Sequence, residues 1–268
     1  MLKNLFLSLF IAVAFLAQGQ TYKRIVSLAP SLTQSLYFLG AQNQLVGCTS
    51  YCEEAKKDGK PIVATAVKLN IEKLLSVKPD LVIALGLSSA EDLETIRKFG
   101  IKIEMFSSPK SFEDICGQFS DLGKIVGRES AAQKIVSDSK RKVKAVETRR
   151  KSKPRCRIFF QIGADPIFSV LHNTFMNDYI TLLNGENIAS RLERGTVGRE
   201  FVIAGNPDYI FVAAMGILGD EEKKAWLKYR TLKAAKKKQV FIVDPEMACQ
   251  PTPITFVQTL EVMDKQME

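Results

Sequence analysis

Few residues in this sequence are equipped for chemistry, and the shortage argues against whole classes of site. The 268-residue chain contains one histidine, His172. A single imidazole argues against His-rich zinc sites, H-E-x-x-H proteases and di-iron centres, and a Ser-His-Asp triad would have to use His172. The sequence also lacks the G-x-x-x-x-G-K-[ST] phosphate loop, a G-x-G-x-x-G after a strand and the G-x-S-x-G of hydrolases. No catalytic motif therefore supports an enzyme.

Two carboxylates, Glu72 and Glu200, could do acid–base work, but an internal repeat gives them another meaning. Each is followed seven residues later by Pro-Asp and an apolar run, Leu-Val-Ile after Asp80 and Tyr-Ile-Phe after Asp208. The copies are offset by 128 residues, and each half begins with Arg-Ile and an apolar strand. Each glutamate lies in the first turn of a predicted short helix, where a carboxylate suits the helix dipole. The repeat predicts two related lobes with one exposed glutamate on each.

Strands alternate with helices along the chain, which predicts parallel sheets in α/β layers. Residues 81–85 and 209–213 are continuous apolar runs typical of strands buried on both faces. A predicted helix over 129–150 has no glycine or proline and would span roughly 33 Å. The predicted fold class is α/β, with two Rossmann-like lobes of mostly parallel sheet joined by one long α-helix. Because ligands sit beyond the carboxyl ends of strands in such sheets, we expect a ligand cleft between the lobes.

The same elements predict the domain organisation. After a signal segment, the N-terminal α/β lobe takes residues 20–127, the linking helix 128–153 and the C-terminal α/β lobe 154–268. In the first lobe, Ser31-x-x-Gln34 predicts a capping box, and Asn70 predicts the cap of the helix that carries Glu72.

The N-terminus has the pattern of a secretory signal peptide. An apolar run over residues 5–16 is followed by Ala17-Gln18-Gly19, which places small residues at the cleavage positions before Gln20. The run is well short of the ~20 residues that span a bilayer. The first cysteine is Cys48, so none lies at the cleavage site to carry a lipid. We expect residues 1–19 to be removed and the mature protein to be exported without a lipid anchor.

The five cysteines are too few for a disulfide scaffold, and their odd number leaves at least one unpaired. Cys48-x-x-x-Cys52 could form a disulfide in an oxidising compartment. Two small buried side chains are the favoured interpretation, since free cysteine is commonly buried.

The net charge of +9 is concentrated in one stretch. Residues 140–157 hold ten lysines and arginines against one acidic residue, Glu147, which equals the excess of the whole chain. The stretch lies on the predicted linking helix and just after it. We interpret it as a solvated helix face, so the charge predicts no nucleic-acid partner.

Four groups of residues carry a resemblance to a known family: Arg24-Ile-Val-Ser-Leu-Ala-Pro-Ser31, Val46-Gly47 with Ser50-Tyr51, Asn70-Ile-Glu72 with Lys78-Pro-Asp-Leu-Val-Ile83, and Gly185-Glu-Asn-Ile188. They resemble the helical-backbone (class III) substrate-binding proteins of ABC importers, which serve cobalamin, ferric siderophores and haem. The resemblance covers the chain from about residue 23 to the end.

The resemblance implies a periplasmic, non-enzymatic and monomeric receptor that has no cofactor. Such a receptor binds a small-molecule metal chelate and delivers it to an ABC transporter permease and its ATPase in the inner membrane. In this family one acidic residue on each lobe docks onto arginines of the permease, and Glu72 and Glu200 occupy those positions. Exposed ion pairs are worth ~0–1 kcal/mol each, so they would set orientation more than affinity.

The resemblance also implies which residues line the ligand cleft, namely the loops after the strands. The candidates are Pro30, Ser31, Tyr51, Ala66, Lys68, Gly86, Leu87, Phe168, His172, Arg194 and Met247.

The candidate cleft departs from the cobalamin-binding type. That type carries tryptophans at the positions of Ala66 and Arg194 and an aromatic residue near Leu85, whereas Trp226, the one tryptophan here, lies on a predicted helix away from the loops. Arg194, with Lys68 nearby in sequence, suits ligands that carry carboxylates or phosphates. This favours a ferric siderophore or haem over cobalamin. Rim residues that point to water are the alternative interpretation of both cations.

Two candidate cleft residues could ligate a metal. The imidazole of His172 could bind haem iron axially, and the phenolate of Tyr51 could bind ferric iron. An ordinary loop histidine and a plain wall tyrosine are the simpler interpretations. Two other functional classes are left open, a sensory or interaction protein that uses the same cleft and an α/β enzyme.

Overall fold

The computed structural model describes residues 22–65, 68–86, 89–214 and 218–268. The chain forms two compact units. The first extends to Phe106 and includes Ser120–Ala132, whereas the second comprises Ser107–Phe119 and Gln133–Glu268. Ser107–Phe119 therefore packs with the second unit, although it precedes the linking helix in the sequence.

The first unit is built on a five-stranded sheet. Its strands are β1 (Ile25–Ser27), β2 (Leu45–Thr49), β3 (Ile62–Ala64), β4 (Leu81–Leu85) and β5 (Lys102–Phe106), and its helices are α1 (Pro30–Phe38), α2 (Glu53–Lys57), α3 (Ile71–Ser76) and α4 (Ala90–Lys98). The strands lie in the order β3-β2-β1-β4-β5, and all neighbours are parallel. The first four residues of β4 are buried, as its apolar run predicted.

Two helices have residues in both units, α5 (Phe112–Ile125) and α6 (Glu129–Lys151). The long helix predicted over 129–150 is α6, which the sequence placed to within one residue. Gly123 on α5 allows a close approach of the two helices, since a Cβ at that position would lie 2.6 Å from the Cβ of Ala132.

The second unit repeats the α/β pattern. Its strands are β6 (Cys156–Ala164), β7 (Ile167–Ser169), β8 (Gly185–Asn187), β9 (Tyr209–Val212) and β10 (Val240–Ile242), and its helices are α7 (Met176–Leu182), α8 (Arg199–Gly205), α9 (Leu218–Leu227), α10 (Lys233–Lys236), α11 (Pro245–Cys249) and α12 (Pro253–Gln266). The order is β10-β9-β6-β7, with β8 also paired to β6. Among the strands described in this unit, only β7 runs antiparallel to its neighbour. The prediction of two α/β lobes with mostly parallel sheets and one long helix is confirmed.

The repeated sequence motifs meet at the start of the central strands of the first unit. The carboxylate of Asp80 accepts the backbone N–H groups of Lys23 and Arg24, at 2.9 and 3.0 Å. In return the backbone N–H of Asp80 donates to the carbonyl of Arg24, at 2.9 Å. The exchange sets the register of β1 on β4, in which Ile25 lies opposite Leu81.

The same exchange occurs in the second unit. The carboxylate of Asp208 accepts the backbone N–H of Arg157 at 2.8 Å, and the N–H of Asp208 donates to the carbonyl of Arg157 at 2.8 Å. Ile158 lies opposite Tyr209 as a result. The sequence repeat is therefore a structural repeat with the same hydrogen bonds.

Helix α3 is held at both ends. The side chain of Asn70 accepts the N–H of Lys73 at 2.9 Å, which confirms the predicted cap. At the other end the guanidinium of Arg24 donates to the carbonyls of Val77 and Lys78, at 2.6 and 2.9 Å. These bonds satisfy carbonyls that a helix terminus leaves without partners.

The capping box predicted at Ser31 is wrong. Helix α1 begins at Pro30, with Ala29 in extended conformation as its cap and no side-chain hydrogen bond there. Proline suits this first position because a helix does not use that N–H. Ser31 is a buried residue inside the helix, where its carbonyl accepts the hydroxyl of Ser35.

The basic stretch is not wholly a solvated face. Arg150 is 5% exposed, and it pairs with the buried carboxylate of Asp264 on α12, as does Arg149. The lysines of the stretch that pair with Glu147, at 2.9 and 2.7 Å, are exposed. The interpretation as a solvated face is therefore wrong at Arg150, whose partner lies more than a hundred residues away in sequence. No described helix is long and apolar enough to cross a membrane.

Replacing Asp264 should destabilise the second unit strongly. Asp264→Ala leaves Arg150 buried without its partner, and removing one member of a buried ion pair costs about 3–5 kcal/mol. The midpoint of urea unfolding measures this loss. The control is Glu261→Ala, an exposed carboxylate on the same helix. Equal midpoints for the two variants would contradict the prediction.

Candidate functional site

A pocket of about 430 Å³ lies at the carboxyl edge of the first unit's sheet. The residues after β1, β2, β3 and β4, together with the start of α4, form its wall. They are Leu28, Ala29, Pro30, Thr49, Tyr51, Ala64, Thr65, Lys68, Leu69, Leu85, Ser89, Asp92 and Leu93. This is the edge at which open α/β sheets bind ligands.

The pocket combines an aliphatic wall with a few polar groups. The phenol of Tyr51 is 47% exposed, and the side chain of Lys68 is exposed as well. Hydrogen bonds between Thr65 and Lys68 shape this loop. The N–H of Lys68 donates to the hydroxyl of Thr65, and the carbonyl of Lys68 accepts the hydroxyl and the N–H of Thr65. Asp92 brings one carboxylate, on α4. A cation, a phenol and hydroxyls on an apolar wall suit an organic ligand that carries acidic groups.

The first unit brings three of the predicted cleft residues together, since Pro30, Tyr51 and Lys68 line the same pocket. Gly86 lies in the turn after β4, next to the wall residue Leu85. Ser31 is buried in α1 and is not part of the wall. The predicted residues Ala66 and Leu87 lie outside the described residues.

Sequence reasoning missed most of the wall, including Thr49, Thr65, Ser89 and Asp92. The signal that could have found them is their position, because each lies at the end of a strand or at the start of the helix after one. No motif marks them individually.

Two buried cysteines lie against the pocket wall. The sulfur of Cys52 is 3.1 Å from the hydroxyl of Thr33 and 3.2 Å from the hydroxyl of Thr49. Interaction with the Cys48 thiol, followed by these hydroxyl contacts, lowers the pKa of Cys52 below its ordinary value. Both cysteines are free and buried, which agrees with the interpretation of small buried side chains. Thr49 links this cluster to the pocket.

The second unit presents an aromatic ring at the end of its sheet. Phe168 on β7 is 40% exposed, although it is a large apolar side chain. Its strand pairs with the segment after Arg194, through a bridge to Thr196 and a hydrogen bond from the N–H of Ser169 to the carbonyl of Gly195 at 2.8 Å. The structure therefore brings Phe168 and the Arg194 segment together, as the predicted site requires.

Gly195 makes room for the ring of Phe168. A Cβ at this position would lie 2.3 Å from Cε1 of Phe168, closer than any real contact. The ring therefore rests against backbone on its inner side, and this leaves its other side to solvent.

The other predicted residues of the second unit lie in separate segments of the chain. His172 is exposed in a turn after β7, and Met247 is half-buried on α11 after β10. Within the described residues, no group of three or more His, Cys, Asp or Glu side chains is placed to hold a metal ion.

The two glutamates of the repeat occupy matching positions. Glu72 is exposed in the first turn of α3, and Glu200 is exposed in the first turn of α8. The carboxylate of Glu200 lies over Gly198, where a Cβ would be 2.5 Å from Oε2. Both helices begin at the carboxyl edge of the sheet in their own unit.

A model of the periplasmic binding protein family matches residues 25–247. The chain belongs to this family. An uncharacterized ABC transporter substrate-binding lipoprotein, YvrC of Bacillus subtilis (strain 168), is 29% identical over 86% of this chain and 76% of its own length. The crystal structure of the periplasmic vitamin B12 binding protein BtuF of Vibrio cholerae is similar, with a TM-score of 0.78 and 25% sequence identity. The match covers 91% of this chain and 96% of BtuF. The periplasmic heme binding protein HutB of Vibrio cholerae shares the fold, with a TM-score of 0.81, 20% identity and coverage of 91% and 98%.

Family membership makes this chain a binding protein of the ABC importer type and points to transport rather than catalysis. It supports a location outside the cytoplasm and implies a permease with its ATPase as partners. The relatives bind different ligands, so membership alone does not choose one.

Substitution of Gly195 should test how the binding protein presents Phe168. Gly195→Ala places a methyl group within the ring's volume, and such overpacking costs about 1–3 kcal/mol unless the ring moves away. We expect weaker binding of hemin or cyanocobalamin, whichever binds the wild type, in absorption titrations. The matched control is Gly198→Ala, which meets only the flexible end of Glu200. Wild-type affinity in Gly195→Ala would contradict a role for the ring in binding.

Proposed function

We propose that this binding protein captures an iron chelate, a ferric siderophore or haem, and delivers it to an ABC transporter permease. The observation that carries the proposal is the pairing of Lys68 and Tyr51 on the wall of one pocket at the strand ends. An ammonium group attracts the carboxylates of such chelates, and the phenol adds an aromatic face with a polar tip. The phenolate of Tyr51, on the same wall, is also a candidate ligand of ferric iron.

The second unit supplies complementary chemistry in this proposal. The exposed ring of Phe168 offers an apolar face to a planar or aromatic ligand, and Arg194 adds a guanidinium that can bind a carboxylate bidentately. His172 stays a candidate axial ligand if the chelate is haem.

Cobalamin is the alternative ligand, and the similarity to the vitamin B12 binding protein of Vibrio cholerae favours it. Against it stands the burial of Trp226, the single tryptophan of the chain, which has 0% exposure. The binding protein therefore has no tryptophan to offer to a corrin ring. The aliphatic part of the pocket suits either ligand.

Docking onto the permease completes the proposal. Glu72 and Glu200 are exposed at matching positions of the two units, where they would pair with permease arginines. Delivery further requires the export that residues 1–19 predict. We infer that the mature protein is free in the periplasm, and N-terminal sequencing that starts at Gln20 would support this.

An absorption spectrum of freshly purified protein, followed by titration with hemin, a ferric siderophore and cyanocobalamin, tests the ligand class. We expect a haem or ferric chelate band, and binding that Lys68→Gln weakens about tenfold, which corresponds to 1.4 kcal/mol. Lys73→Gln is the control, since Lys73 is exposed on α3 and does not line the pocket. Binding of cyanocobalamin alone would establish the alternative, and no binding at all would remove the chelate assignment.

Replacing both docking glutamates separates binding from delivery. The double variant Glu72→Ala/Glu200→Ala should lose uptake of the ligand in cells but keep its affinity in solution, because neither side chain lines the pocket. Uptake is measured as growth of cells that have the iron chelate as their sole source of iron. Unchanged uptake would contradict docking and favour a sensory or interaction protein.

A further inference from the structure

A buried polar network lies behind the turn that carries Glu200. The indole N–H of Trp226 donates to Oε1 of Gln161 at 2.7 Å, and the amide nitrogen of Gln161 donates to Oε2 of Glu222 at 2.9 Å. The other carboxylate oxygen of Glu222 accepts Nη2 of Arg199 at 2.7 Å. Arg199 is the residue directly before Glu200, so the network ends at the proposed docking position.

The network is largely shielded from water. Gln161 and Trp226 are fully buried, and Glu222 is 8% exposed. The guanidinium of Arg199 also lies over the indole of Trp226, 4.6 Å from the ring centroid. Arg199 itself is half-buried, and its charge-assisted hydrogen bond to Glu222 and its contact with the indole of Trp226 anchor it against the interior of the unit.

The two proposed docking helices are anchored in different ways. The cap of α3 is the side chain of Asn70, and Arg24 closes its other end. The cap of α8 is Gly198, which has no side chain to offer. The first turn of α8 is therefore anchored by Arg199 and the buried network instead of by a cap.

We propose that Arg199 and Glu222 are positioning residues for permease docking, which fix the first turn of α8 so that Glu200 meets its partner. This inference rests on the proposed function of Glu200. It extends that function to side chains that do not reach the permease themselves.

The test compares isosteric variants in a reconstituted system. Glu222→Gln keeps the shape of the network but removes the charge that holds Arg199. Glu200→Gln removes the docking charge itself. Glu221→Gln is the matched control, because Glu221 is the exposed neighbour of Glu222 on α9. Each protein is titrated against the source organism's ABC permease–ATPase complex in nanodiscs, and ATPase stimulation is recorded.

We expect Glu222→Gln to raise the protein concentration for half-maximal stimulation at least about fivefold and to leave the maximal rate unchanged. Titration with hemin and cyanocobalamin should give wild-type affinities. Emission of Trp226, the only tryptophan of the chain, should shift in Glu222→Gln but not in Glu221→Gln. If Glu222 had a purely structural role, its replacement would not raise the half-saturating concentration while leaving the maximal ATPase rate unchanged.

The outcomes separate the two proposals. Wild-type half-saturation in Glu222→Gln, together with a raised value in Glu200→Gln, would overturn the positioning role alone. Wild-type behaviour of Glu200→Gln would overturn docking itself. If Glu222→Gln fails to fold, Arg199→Lys keeps the positive charge but loses the planar contact with Trp226, and a wild-type half-saturation in that variant would also overturn the positioning role.

Discussion

The exchange of hydrogen bonds between an aspartate and the backbone of an arginine at the start of a central strand underlies both units. Asp80 does this for Arg24, and Asp208 does it for Arg157. Because side chains alternate between the faces of a strand, a shift of one residue would exchange the side chains that face the two sides of the sheet. The exchange prevents that shift at the amino end of each sheet, and so decides which residues emerge at the carboxyl end. The pocket wall and the two helices proposed to dock onto the permease depend on this register.

Charge and function lie in different parts of the molecule. The basic stretch that accounts for the net charge is held in the second unit by Asp264 and by exposed pairs along α6. It contributes no residue to the pocket of the first unit. The pocket carries one lysine and one aspartate, so its recognition depends on where these groups lie and not on a general field. The overall charge of this protein therefore says little about its ligand.

Much of the fold could be predicted from local patterns, because many of its elements depend on residues that are close in sequence. The apolar runs of β4 and β9, the cap at Asn70 and the absence of breakers in α6 each depend on neighbours in sequence. Two features could not be predicted in this way. The strand β7 reverses direction against β6, and Arg150 is buried against Asp264, which is distant in sequence. At Ser31 a local pattern misled, because Pro30 offered a better first residue for the helix.

The candidate site was predictable in outline and not in detail. The resemblance named Pro30, Tyr51 and Lys68, which line one pocket at the strand ends of the first unit. It could not rank them above Thr49 or Asp92, because side-chain direction in a loop is decided by tertiary packing. The network behind Glu200 carried no sequence signal at all, as Gln161 and Glu222 are separated by sixty-one residues.

The seating of Phe168 on Gly195 also has a consequence for how such a protein diversifies. One side of the ring rests on backbone, so a single change from glycine to a larger residue would displace the ring and reshape the surface around it. Glu200 is held by a separate set of contacts, through Arg199 and the interior of the unit. Under the proposed function, changes in the Arg194–Gly195 loop would alter cargo preference by small steps and leave the contact with the transporter unchanged.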